Sequence, residues 1–351
     1  MTQQRSPLAL SRPGAEPAAP VSAAIHRFAT VLACLVVLLI AAGALVKSKE
    51  AGLSVPDWPL SYGGFNPPHW WRIETVRAEH GHRMFAGTIA LLTTLLAILL
   101  QRKERRAWVR RLGWSAVGAV LAQAILGGVT VLLFLPPAVS IAHAGLAELF
   151  LCLVTALAVV TARSFWAAPE GMVSAETGGV EALAKLAGVT TAMIYVQILL
   201  GAVMRHNGAG LAIPDFPLAF GRLVPPRFDF KIGIHYAHRL GALTVAILVL
   251  WTAARVLSRF RAERTLALPA LGMVGLVAVQ ITLGALVVLT RKAVLPNTVH
   301  VATGASLLAT SLVLSLYSRR LARAAAALPA ADSASAPLRA PRQAPAREAV
   351  S

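Results

Sequence analysis

The sequence predicts an all-α integral membrane protein with eight transmembrane helices, arranged as two parallel-repeat four-helix bundles. Three observations support this prediction: the composition, eight apolar runs of membrane-spanning length, and an internal repeat. The 351-residue chain is 57% hydrophobic and only 14% charged, whereas soluble domains carry roughly 25% charged residues. A mean hydropathy of +0.67 agrees with a chain that crosses the bilayer several times.

The chain is strongly basic, with a formal net charge of +18. In a soluble protein such a charge favours nucleic acid. Here most Lys and Arg lie in short loops and tails between apolar runs, so we expect them at the headgroup surface of the lipid bilayer and expect no nucleic-acid partner. The two cysteines, Cys34 and Cys152, lie inside apolar runs and have no metal-ligand spacing.

The apolar runs are each about 17–25 residues long, enough to cross the hydrocarbon at roughly 1.5 Å per residue. Because the bilayer core has no water to bond the backbone, these runs must be helices. A cleavable signal peptide is an alternative for the first run, but a later segment repeats this run and its following loop, which disfavours cleavage. The runs cover about 26–46, 83–101, 112–134, 138–162, 185–204, 236–257, 266–290 and 298–317.

The ends of the chain differ from the apolar middle. Segments 1–22 and 321–351 are rich in Ala and Pro and lack apolar periodicity, so we expect disordered tails. Between them we expect an N-terminal half at 23–165 and a C-terminal half at 185–320, joined by a linker at 166–184.

The distribution of basic residues predicts the orientation. Clusters of Lys and Arg follow the second, sixth and eighth runs, which share one side in an eight-span chain. Positive charge favours the cytoplasmic side, so both termini are expected in the cytoplasm of a prokaryote, with the chain in its inner (cytoplasmic) membrane. The long segments 47–79 and 205–235 then face outward.

An internal repeat relates the two halves. The segment from Gly52 to Pro59, Gly-Leu-Ser-Val-Pro-Asp-Trp-Pro, is echoed 158 residues later by Gly-Leu-Ala-Ile-Pro-Asp-Phe-Pro. Gln123-Ala-Ile-Leu-Gly is echoed 157 residues later by Gln280-Ile-Thr-Leu-Gly. Each half has an even number of spans, so both insert the same way up and form parallel repeats about an axis along the membrane normal.

The repeat selects four of the nine histidines. His82 and His143 correspond to His238 and His300, and in each half they open the second and fourth spans, near the outer face. Two inward-facing histidines on different helices of a bundle suit axial ligation of haem iron. Hydrogen bonding across helices is the alternative for a single histidine, and zinc is disfavoured because no further ligand is evident. The histidines without a repeat partner, interpreted as interfacial, are His26, His69 and His206.

Two arginines and two aspartates accompany the histidines. Arg83 and Arg239 each follow a ligand candidate, and arginine pairs with carboxylates such as haem propionates, so both are candidates for propionate contacts. Snorkelling to the interface is the alternative for both. Asp57 and Asp215 lie in Pro-Asp turns of the outer segments, and we interpret them as structural rather than as caps on a haem.

Glu79 marks the main difference between the halves. It lies three residues before His82, whereas the equivalent position in the second half is His235. A carboxylate beside a haem pocket can accept a proton or stabilise a cationic intermediate, and a histidine cannot add negative charge. The sequence therefore predicts chemistry in the N-terminal half and a permanent electron-transfer haem in the other. The alternative is that Glu79 only stabilises a helix N-terminus.

These features resemble the heme A synthase family of cytochrome oxidase assembly, over about residues 26–318. The resemblance rests on Glu79-His80-Gly81-His82-Arg83, which fits a Glu-x-x-His-Arg pattern, on the three other histidines, and on the two Gly-Leu-x-x-Pro-Asp segments. Many members carry a cysteine pair in the first outer loop, where this chain has Ser54 and Ser61 instead.

The resemblance implies an oxidoreductase that converts the C8 methyl of haem O to the formyl of haem A through hydroxylated intermediates, with a gem-diol losing water. It implies that His82 and His143 hold the substrate haem, and that Glu79 is the catalytic carboxylate. It also implies that His238 and His300 ligate the iron of a resident haem b. The expected partners are a haem O synthase and an electron acceptor, and a homo-oligomer is a further candidate.

Two other functions remain as alternatives. A non-catalytic membrane cytochrome b would use the same histidine pairs for electron transfer or for haem delivery in oxidase assembly. A transporter on the same repeat is disfavoured, because transport does not explain the histidine pairs or the long loops on one side.

Overall fold

The computed structural model describes residues 22–166 and 177–327. The eight predicted spans are confirmed, since eight helices in these ranges are long and apolar enough to cross a membrane. A ninth helix, α5, is a single short turn. The helices are α1 (Ala23–Ser48), α2 (Glu74–Lys103), α3 (Ala107–Leu132), α4 (Pro137–Thr161), α5 (Arg163–Trp166), α6 (Thr177–His206), α7 (Phe230–Arg259), α8 (Arg264–Leu289) and α9 (Val294–Ala326).

Several helices are longer than their apolar runs. α2 begins at Glu74, although the apolar run begins only near 83. Hydropathy marks the part of a helix that lies in hydrocarbon, whereas the helix itself continues into the polar region. As a result Glu79, His82 and Arg83 share one continuous helix, within its first three turns.

The predicted tails and linker only partly coincide with the described ranges. Residues 1–21, 167–176 and 328–351 lie outside them. α6 already begins at Thr177, before the predicted start of the second half at 185, and α9 continues to Ala326, past the predicted start of the tail at 321.

The apolar core has two large clusters, and a small third one around Ile213 and Ile232. One is built mainly from α1 to α4, around Leu32, Leu96 and Leu151. The other is built mainly from α6 to α9, around Leu266 and Leu308. Between them α1 and α4 pack against α9, and α4 also packs against α6. This arrangement is compatible with two four-helix halves.

The segments 47–79 and 205–235, called the outer segments after their predicted side of the membrane, contain the same turn. In the first, Asp57 accepts hydrogen bonds from the backbone N–H groups of Tyr62 (2.7 Å) and Gly63 (2.8 Å). Asp215 makes the equivalent bonds to Phe220 and Gly221, both 2.8 Å. The N–H groups of the two glycines hold the pKa of each aspartate below its usual range. Both aspartates therefore act as turn-forming residues.

Candidate haem site

Each of the four selected histidines lies against a glycine of the preceding helix. A methyl group added to that glycine would lie 2.9–3.2 Å from the imidazole Cε1, so the imidazole would have to shift to admit it. Close approach of a ring to a helix backbone is a common use of glycine. The pairs are Gly43 with His82, Gly127 with His143, Gly201 with His238, and Gly284 with His300.

The histidines pair within each half. His82 lies within electrostatic range of His143, and His238 lies within range of His300. All four side chains are half-buried. The Nδ1 atoms of His82, His143 and His300 are buried and contact no hydrogen-bonding group of the described chain. Two imidazoles from different helices, with buried nitrogens left over, fit a haem held by axial ligands in each half.

No other metal-binding cluster competes with this assignment. Within residues 22–166 and 177–327, no group of three or more His, Cys, Asp or Glu side chains is placed to hold a metal ion. A haem needs only two axial ligands from the protein, because the porphyrin supplies the others.

Glutamines lie beside three of the four histidines. The Nε2 atom of Gln123 donates to the His143 carbonyl (2.9 Å) and lies 3.4 Å from its Nε2. The Nε2 atom of Gln280 lies 3.3 Å from His300 Nε2. The Nε2 atom of Gln197 donates to the His238 carbonyl (2.8 Å) and lies 3.0 Å from the Nδ1 of its ring. Gln197 was missed by sequence reasoning. The signal was present, because Gln197-Ile-Leu-Leu-Gly repeats the Gln-x-x-Leu-Gly pattern found at 123–127 and 280–284.

The carboxylate of Glu79 connects α2 to the first outer segment. The side chain is only 3% exposed. Its Oε2 accepts from the backbone N–H of Val55 (2.9 Å), and its Oε1 accepts from Arg83 (2.6 Å). Arg83 also donates to the carbonyls of Asp57 (2.6 Å), Val55 (2.9 Å) and Leu60 (3.1 Å). The predicted contact of Arg83 with a propionate stays a prediction beside this structural role.

The second half repeats these contacts around His235. The N–H of Ile213 lies 3.2 Å from His235 Nδ1, and the Nε of Arg239 lies 3.3 Å from its Nε2. Arg239 donates to the carbonyls of Asp215 (2.6 Å), Leu218 (2.8 Å) and Ile213 (3.3 Å). These carbonyls are the repeat equivalents of those bound by Arg83, so the predicted propionate contact of Arg239 likewise stays a prediction.

His80, the remaining histidine of the Glu79-to-Arg83 stretch, lies away from the paired imidazoles. Its Nδ1 is 2.9 Å from the hydroxyl of Ser61, and its ring makes an edge contact with Trp70 at 4.9 Å between centroids. Its repeat counterpart is Tyr236, whose hydroxyl donates to the Leu223 carbonyl (3.1 Å). Both residues hold the outer segment on the helix.

Two polar sites between the halves were missed by sequence reasoning. Glu148 on α4 is 3% exposed, and its Oε2 has no hydrogen-bond partner in the described chain. Near the C-terminal ends of α1 and α6, Arg205 donates to the Ala44 carbonyl (2.8 Å) and to Ser48 (3.1 Å), which also accepts from Asn297 (3.0 Å). An ionisable residue inside an apolar run was the available signal for Glu148.

Together the fold and the site define a polytopic membrane protein with a pair of axial-ligand candidates in each half. The chain belongs to the family described as cytochrome oxidase assembly protein, whose model matches residues 6–157 and 76–312. The family predicted from the sequence is therefore confirmed.

Curated relatives carry one name. The chain is 32% identical to the heme A synthase of Symbiobacterium thermophilum, over 70% of this chain and 79% of that protein. It is 30% identical to the heme A synthase of Alkalihalophilus pseudofirmus, over 79% of this chain and 90% of the relative. It is also 30% identical to that of Shouchella clausii, over 82% and 94% of the two chains.

Proposed function

We propose that this protein is a heme A synthase of the bacterial inner membrane, which oxidises the C8 methyl of haem O to the formyl of haem A. The observation that carries the proposal is a charged difference at the same place in two duplicated junctions between helix and loop. Glu79 stands in the N-terminal half where His235 stands in the other. The relatives named heme A synthase support the same conclusion.

The N-terminal half is the substrate site in this proposal. His82 and His143 would hold the iron of haem O, and the glycines behind them keep the imidazoles close to the helix backbones. With water as the source of the oxygen atom, conversion of a methyl to a formyl group releases four protons and four electrons. The reaction therefore needs a group that accepts protons and a route for electrons.

Glu79 is the proton-accepting group. Its carboxylate is oriented from two sides, by the Val55 N–H and by the Arg83 guanidinium. A carboxylate held in a fixed position next to a reacting group can act as a general base with little reorganisation. Substrate haem bound through His82 would lie near Glu79, because the two residues are one turn apart on α2.

The C-terminal half provides the electron route. His238 and His300 would hold a resident haem b, which supplies one-electron transfer when bound. The electrons pass on to an acceptor, and haem O arrives from a haem O synthase in the same membrane. Both termini lie in the cytoplasm, and the histidines lie near the outer face, in keeping with the basic clusters around the C-terminal ends of α2, α7 and α9.

The test is expression in a bacterium that lacks its own heme A synthase. Extracted haems separated by chromatography should include haem A, and Glu79→Gln should prevent its formation. Pyridine haemochrome spectra of the purified variant should still show haem b. Accumulation of haem O alone with the unaltered chain would overturn the proposal.

A non-catalytic membrane cytochrome b is the second candidate, because the C-terminal histidine pair by itself is sufficient for electron transfer. This alternative predicts that Glu79→Gln changes neither the haem content nor the type of haem extracted. The chromatogram of the unaltered chain therefore decides between the two functions.

A further inference from the structure

The haem-binding unit of this protein is a pair of helices, and it occurs four times. The first helix of each pair carries a glycine, and the second carries the histidine that packs on it. In three units the first helix also has a glutamine four residues before the glycine, in the pattern Gln-x-x-Leu-Gly. The fourth unit, on α1, reads Leu39-Ile-Ala-Ala-Gly43, so leucine replaces the glutamine.

Glutamine and glycine four residues apart lie on the same face of a helix. The glycine therefore admits the imidazole, and the glutamine lies at the edge of the ring. Gln197 shows the contact best: its Nε2 donates to the His238 carbonyl (2.8 Å) and lies 3.0 Å from the ring Nδ1. Two contacts with the same residue restrain rotation of the ring.

The carboxamide can serve an imidazole in either protonation pattern. The Oε1 atoms of Gln123, Gln197 and Gln280 are all buried and have no hydrogen-bond partner in the described chain. An amide presents donors on nitrogen and an acceptor on oxygen, so rotation of the amide lets Oε1 accept from a ring N–H. A histidine that ligates iron carries its proton on the other ring nitrogen, and a fixed acceptor for that proton orients the ring. Gln197 lies at Nδ1 of His238, whereas Gln123 and Gln280 lie at Nε2 of their histidines, so iron would use Nε2 of His238 and Nδ1 of the other two rings as they are oriented here.

At His82 the N-terminal half lacks both the glutamine and the second glycine that makes space for its carboxamide. Space for the Gln197 carboxamide comes from Gly241, where an added Cβ would lie 2.1 Å from Oε1. The repeat equivalent of Gly241 is Phe85. Leu39 and Phe85 both pack against the N-terminal apolar cluster. The Nδ1 atom of His82 is buried without a hydrogen-bond partner in the described chain, and neither Leu39 nor Phe85 can supply one to the ring.

We propose that Gln123, Gln197 and Gln280 are positioning residues that lock three of the imidazoles. Leu39 and Phe85 leave the fourth, His82, free to turn, so His82 is the ligand whose bond to iron breaks first when haem leaves the N-terminal half, before the bond to His143 breaks in turn. This inference rests on the proposed function, in which that half exchanges haem O for haem A while the other half keeps its haem. An enzyme that must release its product needs at least one iron ligand that detaches readily. The orienting glutamine is missing only at His82, in the half where haem is exchanged.

Haem transfer measures the lability without turnover. The full-length protein in detergent is loaded with ferric haem b and mixed with excess apomyoglobin, and the transfer is followed by absorbance. We expect a fast phase from the N-terminal site and a slow phase from the C-terminal site. Gln197→Leu should accelerate the slow phase by about tenfold, the lower end of the effect of removing an orienting partner from a metal ligand. Gln197→Glu, which keeps an acceptor at the ring, should restore slow transfer.

The reciprocal change introduces the missing glutamine, and the space for it, beside His82. The double variant Leu39→Gln with Phe85→Gly should slow the fast phase by about tenfold, and Phe85→Gly alone is its control for the space created. Equal rates for the double variant and the control, or a slow phase unchanged by Gln197→Leu, would overturn the inference. A single transfer rate for both haems of the unaltered protein would also overturn it. If the transplant does not fold, the Gln197 variants decide alone.

The outcome is independent of the test of activity. If haem O alone accumulates in cells while the two transfer phases follow the glutamines as expected, the proposed function fails and the assignment of the labile ligand stands. If haem A forms and the glutamine substitutions do not change the two transfer phases, the proposed function stands and the assignment of the labile ligand fails.

Discussion

The two junctions between outer segment and helix share the same arginine contacts, and they differ most at the side chain that the arginine faces. Glu79 and His235 both face a backbone N–H of the outer segment and the arginine one turn further along the helix. A carboxylate accepts both donors at once, at 2.9 and 2.6 Å. A neutral imidazole has one free lone pair and can accept only one, and its contacts are longer, at 3.2 and 3.3 Å.

Glu79 and His235 therefore differ within a junction whose other backbone contacts are the same in both halves. The hydrogen bonds between outer segment and arginine are the same in both halves, so the fold does not require Glu79 at this position. A negative charge that is dispensable for the architecture, and costly to bury, is best explained by chemistry. It also follows that removal of Glu79 disturbs the outer segment, and a variant that keeps an acceptor there is the cleaner probe.

Exchange of the two side chains gives the largest expected effect. Glu79→His makes the N-terminal junction a copy of the C-terminal one, which already folds with a histidine. We expect formation of haem A to fall by about 100-fold or more, the usual range for loss of a general base, with the resident haem b retained. Chromatography of extracted haems measures it, and His235→Glu is the matched control, which should keep activity. More than a tenth of normal haem A in Glu79→His would contradict the role of the carboxylate.

The glycines behind the histidines provide the next test. In Gly201→Ala the new methyl would lie 2.9 Å from His238 Cε1 and push the imidazole away from the iron. We expect affinity for the resident haem to fall by about 10–100-fold, as for other disturbances of a ligand's orientation. Haem content after gel filtration measures the loss.

Gly275→Ala is the control for this glycine substitution. It lies on α8, another long helix of the same half, and an added Cβ there meets no atom within 4 Å. It should leave the haem content unchanged, and an equal loss in both variants would show that the effect is not specific to the ligand. Gly43→Ala makes the same comparison in the N-terminal half, at 3.1 Å from His82.

The arginines should differ in their contribution to stability. Arg83→Ala leaves the buried Glu79 carboxylate without its charged partner, whereas Arg239→Ala leaves a neutral histidine. We expect the N-terminal variant to be less stable by about 2 kcal/mol, the typical cost of an unpaired buried hydrogen-bonding group. Thermal unfolding of the two purified variants measures the difference. Equal destabilisation would mean that the Glu79–Arg83 pair adds nothing beyond the shared carbonyl contacts.

The smallest effect concerns pH, and here the halves should agree. The pKa values of Asp57 and Asp215 are lowered by backbone N–H donors, so each aspartate stabilises its turn fully above the unfolded pKa near 3.8. The stabilisation is lost as pH falls through the lower pKa of the folded state. We expect cleavage of both outer segments by an acid protease to accelerate below about pH 4, beyond the protease's own pH profile. Asp57→Asn and Asp215→Asn should each remove the pH dependence of their own segment only.

Much of the molecule could be predicted from local properties of the chain. The eight helices followed from hydropathy, and the four histidines followed from spacing within a repeat. The prediction of Glu79 as the odd residue required only alignment of the halves. The start of α2 at Glu74 was missed, because hydropathy does not register a helix that continues into the polar region.

The sequence by itself determined the number of spans, their repetition and the residues that differ between the halves. This was enough because a segment in lipid must satisfy its own backbone hydrogen bonds, so helix formation there depends on local composition. Only the tertiary structure decided what those residues contact: that Arg83 binds three carbonyls, that Gln197 lies on His238, and that Leu39 stands where a fourth glutamine would. Such contacts form between helices distant in sequence, and they depend on how the helices pack against each other.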